Sequence, residues 1–198
     1  MLMEKMKIMS WLLPLAYLAG SVNFPIMLFK IFGKEDPRKS FSGNAGTANV
    51  VRQSGYVWGV IILLLDVGRA ALVALLAELL LKDALTVWVV LFLLVGNRYP
   101  VFYNFKGGKG VATYLGFTAA VAPIFAAASC LAWVLVYAVA RITFIGSLFM
   151  IAVMGMGIMQ YYHWGVLALT GTILCLLLII HSHSSNIAAY LASRKNKI

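Results

Sequence analysis

The chain has 198 residues, of which 63% are hydrophobic and only 11% charged, with a formal net charge of +10. A soluble domain carries roughly a quarter charged residues, so this chain lacks the charge to cover a globular surface in water, and solvation by lipid is what the composition demands. The basic balance points to an acidic membrane surface or an anionic substrate, and the hydrophobicity argues against nucleic acid as a partner.

In chain order, apolar segments run over residues 8–32, 57–81, 84–95, 111–140, 142–161 and 166–180. The first follows Lys5-Met6-Lys7 in the manner of a signal peptide. Its apolar stretch continues past Gly20 to Phe32 without a cleavage signal, so a first span is expected instead. Lipid offers the backbone no hydrogen-bond partners, and the runs are continuously apolar rather than alternating, so each is predicted to be a helix and not a barrel strand. Residues 111–140 are too long for one untilted span of roughly 20 residues. Pro123, near the middle of this run, removes a backbone donor and splits it in two. The expectation is an all-α polytopic membrane protein of seven transmembrane helices, forming one domain over residues 1–198.

The cations segregate if Pro123 is a turn. Lys30, Lys34, Arg38, Lys39, Arg52, Arg98, Lys106, Lys109, Arg141, Arg194, Lys195 and Lys197 then share one face; Lys5, Lys7 and Lys82 lie on the other, and Arg69 within a span. The positive-inside rule puts the richer face in the cytoplasm, the N-terminus outside and the C-terminus inside. Cys130 and Cys175 both sit in apolar runs and read as small buried hydrophobes. With no HExxH or CxxC spacing, neither a metal nor a cofactor is expected.

Three polar connections interrupt the apolar runs on the basic face. The first, Ser40 to Arg52, mixes small residues with Asn44, Asn49 and Arg52. Its glycines allow tight turns that present N–H groups to an anion, and Arg52 adds a fork suited to phosphate. The second, Gly96 to Gly110, ends in Lys106-Gly107-Gly108-Lys109-Gly110 before an apolar helix. Glycines, a helix N-terminus and a lysine suit phosphate, although the Walker A spacing is absent. The third, His181 to Ile187, carries His181, His183 and Asn186 after the last span; spacing alone does not choose between the two histidines. Asp66 and Arg69, three apart inside a span, share a helix face and are either a structural pair or a substrate contact. The acidic residues are only Glu4, Glu35, Asp36, Asp66, Glu78 and Asp83, which gives paired-carboxylate chemistry little support. The loops supply positive charge and amides, an inventory that binds phosphate better than it makes a nucleophile.

Taken together, these loops resemble those of the bacterial acyl-phosphate:glycerol-3-phosphate acyltransferases, the PlsY family. The resemblance spans essentially the whole chain. It runs from Gly20-Ser21 and Phe24 through Ser42-Gly43-Asn44, Gly46, Asn49 and Arg52, then Asp66 with Arg69. The segment from Pro100 to Thr113 is its most specific part, and it closes on His183, Asn186 and Ile187. It implies seven membrane helices with the motifs on the cytoplasmic side of the bacterial inner membrane. It further implies transfer of a fatty acyl group from acyl phosphate to the 1-hydroxyl of glycerol 3-phosphate, giving lysophosphatidic acid and phosphate. The partners it implies are those two substrates and membrane lipid, acting on a monomer. By resemblance Ser42, Arg52, Lys109, His183 and Asn186 are the catalytic set. Gly43, Asn44, Gly46, Asn49, Arg52, Lys106, Gly107, Gly108 and Lys109 bind substrate phosphate.

The chain departs from the family pattern at several places. Phe41 replaces a glycine and is expected to narrow the phosphate cradle. The order Thr47-Ala48-Asn49 is altered, and Asn97 stands for a histidine. Ser184 and Ala189 replace arginines, and Ser193 and Lys195 replace the closing glycine and glutamate. The competing reading is a non-catalytic relative that binds or transports a phosphorylated metabolite; a transporter would show inverted repeats, and none is evident.

Overall fold

The structure, a computed structural model, describes residues 2–195. Lys197 and the side chain of Lys195, counted above with the basic face, lie outside the described residues. The described residues form α-helices joined by irregular connections, with two short 3-10 turns at Pro37–Lys39 and Val101–Tyr103. The first apolar run is not one helix as expected. It forms α1 (Leu2–Ser21) and α2 (Phe24–Ile31), bent by 47°. The break is local chemistry: Asn23 caps α2 by accepting from the Ile26 N–H at 3.3 Å, and Pro25 has no N–H to continue α1.

The first connection is partly ordered as α3 (Thr47–Ser54), so Arg52 stands on a helix rather than a loop. Then come α4 (Tyr56–Leu81), α5 (Leu85–Arg98), α6 (Val111–Val121) and α7 (Pro123–Ala140). The expected division at Pro123 is present, with proline in the first turn of α7, where its missing N–H needs no partner. α8 (Thr143–Tyr161), α9 (Val166–Ser182) and α10 (Ser184–Lys195) complete the chain. The third connection is therefore not a loop: His183 alone separates α9 from α10, which meet at 54°. Among the described residues four helices, α4, α5 with its following turn, α7 and α8, are long and apolar enough to cross a membrane. Six elements qualify if each bent pair is one span, and α6 is a shorter apolar helix. Cys175 is buried, whereas Cys130 is exposed on α7, against the expectation for it.

Small residues let the helices touch through their backbones, as lipid-embedded bundles require. A Cβ on Gly20 would lie 2.1 Å from the Leu93 carbonyl oxygen, and one on Gly96 2.1 Å from that of Tyr17. This contact joins α1 to α5. The Tyr17 hydroxyl adds a hydrogen bond to the Tyr99 carbonyl at 2.9 Å, just past the end of α5. Gly96→Ala must push the two backbones apart, and overpacking of this kind costs about 1–3 kcal/mol. A clear fall in the thermal midpoint of the purified protein in detergent is expected; an unchanged midpoint would show that the helices separate without penalty.

Tyr114, Phe117, Met154, Ile158 and Ile179 are fully buried where α6, α8 and α9 meet. A separate small core of Phe29, Val50 and Ile62 seats α3 on α2 and α4, which fixes where Arg52 stands. Arg52 donates to the Thr143 hydroxyl at 3.2 Å, and Lys109 donates to Asn186 Oδ1. The start of α6, the start of α8 and the end of α9 therefore share one end of the bundle. α6 leaves that end and α7 returns to it, so the chain reverses at Pro123. At the opposite end Glu78 accepts hydrogen bonds from Thr86 and Tyr162 at 2.8 and 2.7 Å, joining α4, α5 and α8.

Candidate active site

The second connection folds back onto the end of α5. The Gly107 N–H donates to the Arg98 carbonyl at 3.1 Å and the Gly108 N–H to the Asn97 carbonyl at 2.9 Å. These bonds occupy α5 carbonyls that otherwise lack partners. A Cβ on Gly107 would lie 2.1 Å from the Asn97 carbonyl oxygen and 2.7 Å from Pro100 Cδ. The two glycines are thus required for close packing, and their N–H groups are engaged within the protein. What the loop offers an anion lies one step later: the N-terminus of α6, which no side chain caps, with Lys109 immediately before it.

In the first connection Asn49 is buried and works as an internal brace. Its Nδ2 donates to the carbonyls of Pro37 and Ser40 at 2.6 and 3.1 Å, and its Oδ1 accepts from the Ser42 N–H and hydroxyl at 3.1 and 2.9 Å. Gly43 has a left-handed φ of +65° and donates its N–H to the Ser40 carbonyl. The amide of Asn44 lies against Gly46, where a Cβ would meet it at 2.7 Å. Phe41 does not fill the cradle. It is 71% exposed and has a φ of +52°, a conformation that glycine adopts freely and that costs other residues roughly 1–2 kcal/mol. The Lys106 side chain is exposed.

The bundle geometry gathers Lys109, Arg52, His183 and Asn186. Burial lowers the Lys109 ammonium to about 8, and the positive charges of Arg98 and Arg52 push in the same direction. His183 is 3% exposed and lowered to about 4, first by burial and then by Lys109 and Arg98, against a raising effect of its bond to Ile179. Its ring is therefore neutral at physiological pH. With Nδ1 donating to the Ile179 carbonyl at 2.9 Å, Nε2 is left as an acceptor. Among the described residues no carboxylate perturbs either group. The result is an electropositive site holding one neutral imidazole.

Three participants were not singled out from the sequence. Arg98 ends α5, lies 5.3 Å from the Tyr99 ring, and is brought beside Lys109 and His183 by the loop that folds back on it. Thr143 holds Arg52 from the start of α8. Arg38 reaches from the first connection to the second. Only Arg98 had a local signal, a basic residue just before a helix-ending Tyr-Pro; the other two depend on long-range contacts. Asp66 and Arg69 form a 3.1 Å ion pair in which both side chains are 8% exposed. Arg69 also donates to the Val22 carbonyl, to Asn97 and to Thr113, fastening the α1–α2 break, the end of α5 and the start of α6. These contacts are those of a structural pair.

A family model described as glycerol-3-phosphate acyltransferase matches residues 10–193. The chain belongs to this family. A glycerol-3-phosphate acyltransferase of Methylobacillus flagellatus is 38% identical, covering 87% of this chain and 88% of its own. One from Neisseria meningitidis is 34% identical over 92% and 94%. The crystal structure of PlsY (YgiH), an integral membrane glycerol 3-phosphate acyltransferase in its glycerol 3-phosphate form, matches with a TM-score of 0.85 and 34% identity, covering 93% of this chain and 92% of that one. Its lysophosphatidic acid form matches with a TM-score of 0.83 and 33% identity. As a member of the PlsY family the chain is an integral membrane protein.

Proposed function

We propose that this protein transfers a fatty acyl group from acyl phosphate to the 1-hydroxyl of glycerol 3-phosphate, releasing lysophosphatidic acid and inorganic phosphate. The observation that carries the reading is the meeting of Lys109, Arg52 and Arg98 with a neutral His183 and Asn186 at one end of the bundle. Both substrates are phosphate monoanions or dianions, and three cations match them. Acyl phosphate is already activated, so no covalent nucleophile is required if the hydroxyl is aligned with the acyl carbon. In this reading the 1-hydroxyl oxygen bonds to the carbonyl carbon, the carbon–oxygen bond to phosphate breaks, and the hydroxyl proton passes to the departing phosphate. Lys109, Arg52 and the N-terminus of α6 stabilise the phosphate and the developing oxyanion. Ser42, whose hydroxyl donates to Asn49, completes the phosphate cradle in this reading. His183 Nε2 and Asn186 orient the glycerol hydroxyls.

An apolar groove between α8 and α9, lined by Leu148, Ile151, Leu176 and Ile180, is suited to the acyl chain. Leu148 and Ile180 lie within two turns of Thr143 and His183, so a chain in lipid would present its head group to the cations. The same reading takes the chain as a single-domain monomer with seven spans, α1–α2 counting as one, then α4, α5, α6, α7, α8 and α9, with α10 beyond the last span on the site face. The site face is cytoplasmic, where glycerol 3-phosphate is in water. Purified protein in lipid, given acyl phosphate and labelled glycerol 3-phosphate, should form labelled lysophosphatidic acid, and acyl-CoA in place of acyl phosphate should not support it. Binding of glycerol 3-phosphate without product from either donor would overturn the enzymatic reading and leave a metabolite-binding protein.

A further inference from the structure

We propose that Arg38, which is not among the site residues named above, is a positioning residue that sets the spacing between the two phosphate-binding connections; the inference rests on the acyl-transfer reading above. Arg38 belongs to the 3-10 turn Pro37–Lys39, which Asp36 caps by accepting the Arg38 N–H at 2.9 Å. The same carboxylate accepts Arg38 Nε at 3.0 Å and Nη2 at 2.6 Å, so the guanidinium is gripped along one edge. Its other arm, Nη1, donates to the carbonyls of Tyr103 and Lys106, both at 3.0 Å.

These contacts join two parts of the site that share no helix. The turn carrying Arg38 is tied by Asn49 to the Ser42 cradle, through Pro37 and Ser40. On the far side, the Lys106 carbonyl directly precedes the Gly107 and Gly108 N–H groups, which bond to the end of α5. The segment leading to Lys109 is therefore held from both sides, by Arg38 on one and by α5 on the other. Remove the guanidinium and only the α5 side remains. A lysine cannot replace it, because a point charge lacks the fork that grips Asp36 and reaches two carbonyls at once. Arg38 touches no atom that reacts; it acts through the placement of Lys109 relative to Ser42 and Arg52.

A fault in spacing should appear in turnover more than in binding. Arg38→Ala is expected to lower kcat about 30-fold or more, with the KM for glycerol 3-phosphate changed by no more than about three-fold, because a misplacement near 1 Å is enough for such losses. Arg38→Lys should recover only a small part of kcat, and Asp36→Asn should shift it in the same direction by less. Lys39→Ala removes a positive charge from the same turn, where the side chain is exposed, and should leave kcat at the wild-type level. Hydrogen exchange supplies a readout that needs no turnover: the Gly107 and Gly108 amides should exchange faster in Arg38→Ala at an unchanged thermal midpoint. Retention of kcat within about two-fold of wild type in a folded Arg38→Ala protein overturns the proposal, as does an equal loss in Lys39→Ala or unaltered exchange at Gly107 and Gly108. If Arg38→Ala does not fold, Asp36→Asn decides by the same kcat and exchange criteria. If wild-type protein makes no lysophosphatidic acid, the acyl-transfer reading fails, and the exchange measurement still decides whether Arg38 holds the loop.

Discussion

Lys109→Ala is expected to lower acyl transfer by about 1,000-fold without unfolding the protein, since loss of a single preorganised charge donor in a water-poor site typically costs two to three orders of magnitude. The side chain donates to Asn186 and stands at the uncapped N-terminus of α6. Among the described residues no other ammonium is held at that point, and the Lys106 side chain is exposed. Stability should be little changed, since the alanine variant removes a cation that burial and two neighbouring arginines already disfavour. The same environment predicts the pH dependence. Lys109 is cationic below about 8 and neutral above it, so a reaction that needs its charge should run below that pH and fall as the pH rises through it. His183, lowered to about 4, should add no transition between pH 5 and 7. Lys109→Arg, if it retains turnover, should move the alkaline fall to higher pH, because a guanidinium stays charged throughout. A wild-type profile flat from pH 7 to 10 would remove the Lys109 charge from the mechanism.

Gly107→Ala is the second large effect expected, and its cause is steric rather than electrostatic. The added methyl would meet the Asn97 carbonyl oxygen at 2.1 Å and the Pro100 ring at 2.7 Å. Neither obstacle is the end of a flexible side chain. The loop must lift off α5, breaking the Gly107 and Gly108 bonds to Arg98 and Asn97 and carrying Lys109 with it. A loss of about 100-fold or more in kcat/KM is expected from displacing the loop. Gly108→Ala should be milder in the same assay, since its nearest contacts, the Ala45 carbonyl and the Asn97 amide, both lie at 3.0 Å. Equal turnover in Gly107→Ala and wild type would show that the loop is not held as described.

The comparison of these two positions shows what the residue string conveys and what it conceals. Lys-Gly-Gly-Lys-Gly before a helix was legible as a loop for phosphate, and Lys109 does stand at a helix N-terminus. The string suggests Gly107 and Gly108 as residues that bind substrate phosphate, and the structure has their N–H groups bonded to α5. The same local pattern serves either purpose, and only the partners nine and eleven residues upstream, Arg98 and Asn97, distinguish them. Asn49 repeats the lesson: a polar residue in such a loop reads as a ligand in the string, and its amide bonds to the backbone of its own connection. Asn23 and Pro25 are the converse case. A helix cap and a proline were present in the string, yet continuous hydrophobicity masked the bend they cause.

Hydropathy and the missing N–H of Pro123 mark this as a helical protein for lipid whose chain divides at that residue, with polar residues gathered between the apolar runs. Those features are local, since hydropathy and a missing N–H act wherever they occur in a chain. Which residues meet follows from helix packing. Arg98 beside Lys109, Arg38 across two loops, Arg52 on Thr143 and Lys109 on Asn186 join positions 11 to 91 residues apart. Such pairings depend on how glycine-lined helices pack against one another, and no periodicity along the chain records them.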